Sequence, residues 1–424
     1  MTVGLVFVVG AFILFFAAIP IFAVIGVGAF SVGTLSVVPI FDSLGITAWA
    51  QAQNYVLISV PLFIMLGEIF VRSGIAGEMY DAVSPWLNRM PGRLMQTNVA
   101  TSAIFAATSG SSLATAATIG SIAIPQIKKH GYNERLFLGT IAAGGTLGIL
   151  IPPSINLIVY GSITNTSVPQ LYLAGIVPGI ILAVLFMAVT AALCLLRPGW
   201  NGRPLKATWG DRWRSLPNLL PPLGLFLIVV GSIYVGIATP TEAAALGVVA
   251  TIILGLIKGR MSFTVLNEAL FATARTNAIL MIIIIFAAFL NFALGIIGFS
   301  RMLENFILGL TLSKYAIIAI IVVIYLVLGC FLEGLSLTVL TVPVLAPIIA
   351  KLGFDPVWFG VLVILVTEAG LITPPVGMNC YVVQATRDRG SLTDVFIGVT
   401  PYLLALLGLV VMIIAWPEIA LWYR

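Results

Sequence analysis

Apolar runs of about twenty residues follow one another along nearly the whole chain, and that pattern leaves few architectures open. A segment in hydrocarbon must satisfy every backbone N–H and C=O within the protein, so it forms a helix or joins a closed barrel. The short alternating strands of a barrel are absent. The expected fold is an all-α polytopic membrane protein. Charge agrees: 8% of the residues are Asp, Glu, Lys or Arg, against about 25% in a soluble domain. The first apolar stretch is followed by many more and reads as structure rather than a removable leader. The one histidine, His130, sits in the polar turn "KKHGYNER" and leaves imidazole catalysis and metal binding almost no material. Cys194, Cys330 and Cys380 are scattered in apolar segments without metal-site spacing and read as small buried side chains. The net charge of +5 fits membrane topology better than a nucleic-acid partner.

One run is interrupted in its middle. "GILIPPSINLIVYG" (Gly148–Gly161) carries two adjacent prolines, each lacking an N–H and clashing with the preceding helical turn. The interruption recurs. Shifted by 222 residues, Pro125 falls on Pro347, Lys129 on Lys351, Gly131 on Gly353, Phe137 on Phe359, Gly148 on Gly370, and Pro152–Pro153 on Pro374–Pro375. At a shift of 220, "AIPIF" (Ala18–Phe22) faces "ATPTE" (Ala238–Glu242). The chain therefore reads as two repeats.

Basic residues orient them. "RPGWNGRPLKATWGDRWR" carries Arg197, Arg203, Lys206, Arg212 and Arg214 against Asp211, so residues 197–218 are expected to be a cytoplasmic linker. Counting spans outward from it makes the first broken segment start inside and the second start outside. The equivalent segments cross in opposite directions, which is an inverted-topology repeat. The first repeat is expected over 1–196, with a surface arm at 76–93, a re-entrant hairpin at 94–130 and a broken helix at 134–165. The second is expected over 219–424, with an arm at 262–275, a hairpin at 313–351 and a broken helix at 356–386. Thr2–Ile19 and Ile21–Pro39 read as two short spans or one long element; the second repeat's pattern favours two.

Irregular backbone at membrane depth is tolerated where it lines a cavity. Carbonyls freed by a break suit a hard cation such as Na⁺, and the N-terminus of the following half-helix suits an anion. The expected hairpin tips are rich in oxygen: Thr108–Ser112 in "FAATSGSSLATAATIGSIAIP" and Glu333, Gly334 and Ser336 in "FLEGLSLT". Glu333 and Glu368 are carboxylates at membrane depth, a costly placement that points to function. Glu242 in "ATPTEA" lies near the outer boundary and reads as structural. A passive channel, an intramembrane enzyme and a permease working alone are the rival readings. No nucleophile–base pair and no P-loop sequence supports an enzyme or an ATP-driven pump.

The motifs "SGSSLATAATIGSIAIPQIKKHGY", "AAGGTLGILIPPSINLIVYG", "GIATPTEAAALG" and "EAGLITPPVGMN" resemble the large membrane subunit of TRAP (tripartite ATP-independent periplasmic) transporters, over essentially the whole chain. The resemblance implies a Na⁺-coupled secondary importer of the bacterial inner membrane, not an enzyme. It implies an elevator-type fold, in which a transport domain moves against a scaffold. The expected substrate is an organic acid such as a C4-dicarboxylate or sialic acid. The expected partners are a small four-helix membrane subunit, which this chain does not carry as a fusion, and a periplasmic substrate-binding protein. No cofactor is expected beyond Na⁺ as coupling ion. Carried over residue by residue, Ser109–Ser112 match the first hairpin tip and Glu333–Gly334 the second; Gly148–Pro153 and Gly370–Gly377 match the unwound segments. Sodium candidates are Ser109, Gly110, Ser111, Ser112, Gly148, Ile151, Glu333, Gly334, Gly370 and Thr373. Substrate candidates are Ser112, Pro152, Pro153, Ser154, Asn156, Pro374, Pro375, Gly377 and Asn379.

Overall fold

The structure is a computed structural model that describes residues 20–35, 41–205, 207–387 and 389–424. The expected element Thr2–Ile19 lies outside these residues, as does the end of Ile21–Pro39. No strand forms among the described residues, and one isolated bridge pairs Tyr132 with Asn201. Among the described residues, six helical segments are long and apolar enough to cross a membrane, or seven if the pair bent by 43° at Leu219 is one span.

The first half contains α1 (Ile21–Leu35), α2 (Asp42–Ala52), a 3₁₀ turn (Tyr55–Ile58), α3 (Ser59–Arg72) and α4 (Ile75–Leu87). It continues with α5 (Leu94–Ser109), α6 (Ser112–His130), α7 (Glu134–Thr146), α8 (Ile155–Thr164) and α9 (Val168–Leu196). A short α10 (Trp209–Ser215) lies in the connection. The second half contains α11 (Leu220–Phe226), α12 (Ser232–Tyr234), α13 (Pro240–Ile257), α14 (Phe263–Ile296) and α15 (Phe299–Leu308). It ends with α16 (Lys314–Gly329), α17 (Gly334–Lys351), α18 (Pro356–Leu371), α19 (Met378–Ala385) and α20 (Leu392–Ala415).

The halves match element by element. Helices α1 and α13 both follow the proline of an Ala-x-Pro: Pro20 immediately precedes α1 and Pro240 opens α13. Pairs α5–α6 and α16–α17 are helical hairpins; α7–α8 and α18–α19 are helices interrupted around the Pro-Pro pairs. Packing exchanges with the halves. Helix α13 lies on α3 as α14 lies on α1, α20 on α7 as α9 on α18, and α17 on α8 as α6 on α19. That reciprocity is what a two-fold relation between the repeats produces.

One sequence expectation needs correction. Residues 262–275 form no separate arm. They are the Ser262 cap and opening turns of α14, a continuous 34-residue helix of roughly 50 Å at 1.5 Å per residue. Nothing from Phe263 to Leu294 is glycine or proline, so nothing breaks it. In the first half the matching stretch is broken, because Asn54 takes a cap position and its Oδ1 accepts from Val56 N at 3.1 Å. The counterpart of arm α4 is α15. Both open on a left-handed glycine, Gly74 at φ 70° and Gly298 at φ 74°.

The described residues of the linker, 197–205 and 207–218, form a strap folded onto α4. Asn88 and Leu205 exchange hydrogen bonds at 2.7 and 3.0 Å. Arg212 Nε donates to Pro85 O at 3.1 Å, and Trp86 Nε1 to Ser215 Oγ at 3.2 Å. Glu242 is indeed structural: its carboxylate closes a capping box with Thr239 at the start of α13. The three cysteines are free and buried.

Helices α7 and α20 cross at glycines. A Cβ on Gly398 would fall 1.8 Å from Arg135 O, and one on Gly139 would fall 2.1 Å from Gly398 O. Neither backbone can yield without separating the helices. Gly398→Ala is expected to destabilise the protein by about 2 kcal/mol or more, read as a lower unfolding temperature in detergent; an unchanged temperature would show that the crossing is looser.

Candidate functional site

Each hairpin tip is built by a cap. Helix α5 ends at Gly110, left-handed at φ 60°, and Ser111 is extended and caps α6, its Oγ accepting from Ala114 N at 3.4 Å. In the second hairpin Glu333 is the extended residue before α17, and its side chain makes no capping bond.

The tips close onto the breaks. A Cβ on Gly148 would lie 2.6 Å from Ser111 O and 2.7 Å from Thr115 Oγ1, so only a glycine lets the first break reach the first tip. Gly110 approaches Pro153 O in the same way. In the second half a Cβ on Gly370 would lie 2.6 Å from Gly329 Cα, and Gly377 N donates to Cys330 O at 3.2 Å. The half-helices then reach across to the opposite hairpin. Asn156, in the first turn of α8, lies against Gly334; Asn379, in the first turn of α19, lies beside Gly145, which itself packs against Ser112 O. A side-chain bond ties the two repeats at the site: Ser112 Oγ donates to Oε1 of Glu368, which is fully buried.

A cavity of about 500 Å³ opens where the tips meet. Its wall includes seven of the sequence candidates: Ser109, Gly110, Ser111, Ser112, Asn156, Glu333 and Gly334. Behind the first tip, Ser109 Oγ lies 3.0 Å from Thr115 Oγ1, which donates to Ser111 O at 2.7 Å. This is an all-oxygen set of the kind a hard cation takes. Asn156 Nδ2, Ser336 Oγ, Thr367 Oγ1, Glu368 Oε2 and Asn379 Oδ1 are buried without a hydrogen-bond partner among the described residues. Buried polar groups are normally paired, and such a concentration of exceptions marks places for ions, water or ligand.

The other candidates lie off the cavity. Ile151 packs its side chain on Gly179, and Pro152 lies near Gly175. Ser154 caps α8 through Leu157 N at 3.3 Å. Thr373 Oγ1 donates to Ala369 O at 2.6 Å, and Pro374 and Pro375 are exposed. The residues of the second break thus sit behind the second tip, while those of the first break are largely buried. Sequence reasoning missed the far wall: Gly67 and Glu68 of α3 and Thr276, Ile279 and Leu280 of α14. Glu68 carried the same signal as Glu333, an acid in the apolar run "SVPLFIMLGEIFVR". Gly67 was not findable; it matters because a Cβ there would lie 3.3 Å from Ser109 Cα.

The family model for the DctM component of tripartite ATP-independent periplasmic transporters matches residues 2–419. The chain belongs to this family of large permease subunits. It is 31% identical over 403 residues to the C4-dicarboxylate TRAP transporter large permease of Rhodobacter capsulatus, covering 92% of this chain and 91% of that one. It is 33% identical over 372 residues to the ectoine/5-hydroxyectoine TRAP transporter large permease of Ruegeria pomeroyi, covering 87% and 86%. Among solved structures, the YdaH transporter of Alcanivorax borkumensis shares the fold at a TM-score of 0.65 and 16% identity, over 91% of this chain and 90% of that one.

The cross-repeat bond gives a direct test of the site's construction. Glu368→Ala empties a fully buried position and strands Ser112, which is expected to cost about 2–4 kcal/mol of stability. Glu368→Gln keeps an acceptor of the same length and is expected to stay within about 1 kcal/mol of the parent. Equal losses in the two variants, measured by thermal unfolding, would show that the hydrogen bond contributes nothing.

Proposed function

We propose that this chain is the membrane pathway of a Na⁺-coupled secondary importer of an organic acid in the bacterial inner membrane. A periplasmic binding protein delivers the substrate, and a small four-helix subunit completes the membrane part. The observation that carries the reading is the convergence of both hairpin tips and the first turn of a broken helix on one substrate-sized cavity. The names of the relatives, transporters of a C4-dicarboxylate and of ectoine, support an organic acid as cargo.

In this reading Na⁺ occupies the oxygen set around Ser109, Ser111 and Thr115, and the tip around Glu333. Binding orders the tips, and ordered tips complete the anion site at the start of α8. Ions and substrate each then bind better in the presence of the other, which is the linkage that coupling requires. Movement is of the elevator type. Helices α1, α3, α13 and α14, which pack on each other across the repeats, form the scaffold. The hairpins and broken helices form the moving part. Gly67 supports this, since a glycine on α3 leaves the first tip a smooth surface to pass.

The test is uptake of radiolabelled organic acids into proteoliposomes holding this chain and its small subunit. Uptake is expected to fall at least tenfold without an inward Na⁺ gradient, and again without the binding protein, a difference of about 1.4 kcal/mol or more each. Glu333→Gln is expected to raise the Na⁺ concentration for half-maximal uptake by about tenfold. Gradient-independent equilibration would replace the reading with a channel, and uptake indifferent to the binding protein would replace it with a permease acting alone.

A further inference from the structure

The cavity wall is two-sided in charge. Three helices begin on it: α6 at Ser112, α8 at Ile155 and α17 at Gly334. Each directs the positive end of its backbone dipole and its unpaired first N–H groups inward. Asn156 adds a donor, since the residue is 5% exposed and its Nδ2 has no partner among the described residues. This side is made for a carboxylate.

The opposite side, on α3, carries Glu68. Glu68 and Glu333, which holds the N-cap position of α17 on the donor side, are the two carboxylates of the described lining, which holds no Lys, Arg or His. Glu333 is taken by the coupling ion in the reading above. Glu68 is left. Its Oε2 accepts from Arg72 Nε at 3.0 Å, and Arg72 also holds Glu268 Oε2 at 2.7 Å through Nη1. Two carboxylates share one guanidinium, so the trio keeps a net charge of −1. Glu68 Oε1 has no hydrogen-bond partner among the described residues. Its place on the scaffold wall beside Gly67 faces it toward whatever the hairpin tips hold.

We infer that the cargo is a small zwitterion, whose carboxylate meets Asn156 and the helix N-termini and whose ammonium or amidinium group meets Glu68. The inference rests on the cavity being the substrate site. A C4-dicarboxylate satisfies one side only, because its second carboxylate would be brought toward Glu68 in a wall that offers no basic side chain. Glu68 is therefore the residue that sets the cargo's charge type.

The test uses the complex of this chain with its small subunit in lipid nanodiscs at saturating Na⁺. The probes are 4-aminobutyrate and succinate, equal in chain length and differing in an ammonium for a carboxylate, with ectoine as a cyclic amidinium carboxylate. Binding is read by thermal stabilisation across a concentration series. At least one zwitterion is expected to bind about tenfold or more tighter than succinate. Glu68→Gln is expected to remove most of that preference while the stabilisation by Na⁺ alone stays intact, which shows that the variant is folded. Succinate binding as tightly as the zwitterions, a preference unchanged in Glu68→Gln, or no response to any probe would overturn the inference. Those outcomes leave the coupled-import reading standing as long as Na⁺ itself stabilises the complex; loss of the Na⁺ effect counts against that reading instead.

Discussion

A helix broken inside hydrocarbon exposes backbone groups that only the protein can satisfy, and the rest of this structure depends on how that is done. Each break is covered by the hairpin of its own repeat. The first tip closes on Gly148 through Ser111 O, and the second on Gly370 and Gly377 through Gly329 and Cys330. Hairpin and break are therefore one device. Neither is stable at membrane depth without the other, and the cavity between the tips follows from their packing. The same closeness explains why small residues gather there: a side chain on Gly148 or Gly370 would separate the parts.

The two devices are similar without being equal. Ser111 caps the first tip with a hydroxyl where the second tip carries Glu333. The partner of Ser112 is Glu368 from the other repeat, whereas the equivalent of Ser112 is Gly334, with no side chain to reach across. The second break lies exposed at Pro374–Pro375 while the first is largely buried. Duplication supplied the scaffold of the site, and these differences give it direction. In the proposed mechanism, donors on the hairpin side and Glu68 on α3 let the cavity discriminate its cargo by charge.

Much of this was legible in the sequence because the informative residues act locally. Pro152–Pro153 and Pro374–Pro375 interrupt a helix wherever they stand, and their regular offset exposed the repeat. Ser109–Ser112 and Glu333 stood out as polar groups in apolar runs. What stayed hidden depends on long-range packing. The continuity of α14 through 262–275 was masked by an amphipathic stretch that resembles a surface arm, although the absence of any breaker before Gly295 pointed the other way. The docking of 197–218 onto α4 depends on Asn88, Trp86 and Arg212 finding partners more than a hundred residues away. Thr373 and Asn379 belong to the same motif as Gly370, yet none of the three lines the cavity, which no motif could report.

The central claim is that cation binding at the hairpin tips completes the site. Amide hydrogen exchange on the complex with its small subunit tests it most directly, comparing residues 108–115 and 330–337 with and without Na⁺ at constant ionic strength. The account predicts that Na⁺ slows exchange in both segments and leaves the α7–α20 crossing unchanged. Equal exchange at the tips in the two conditions would contradict it.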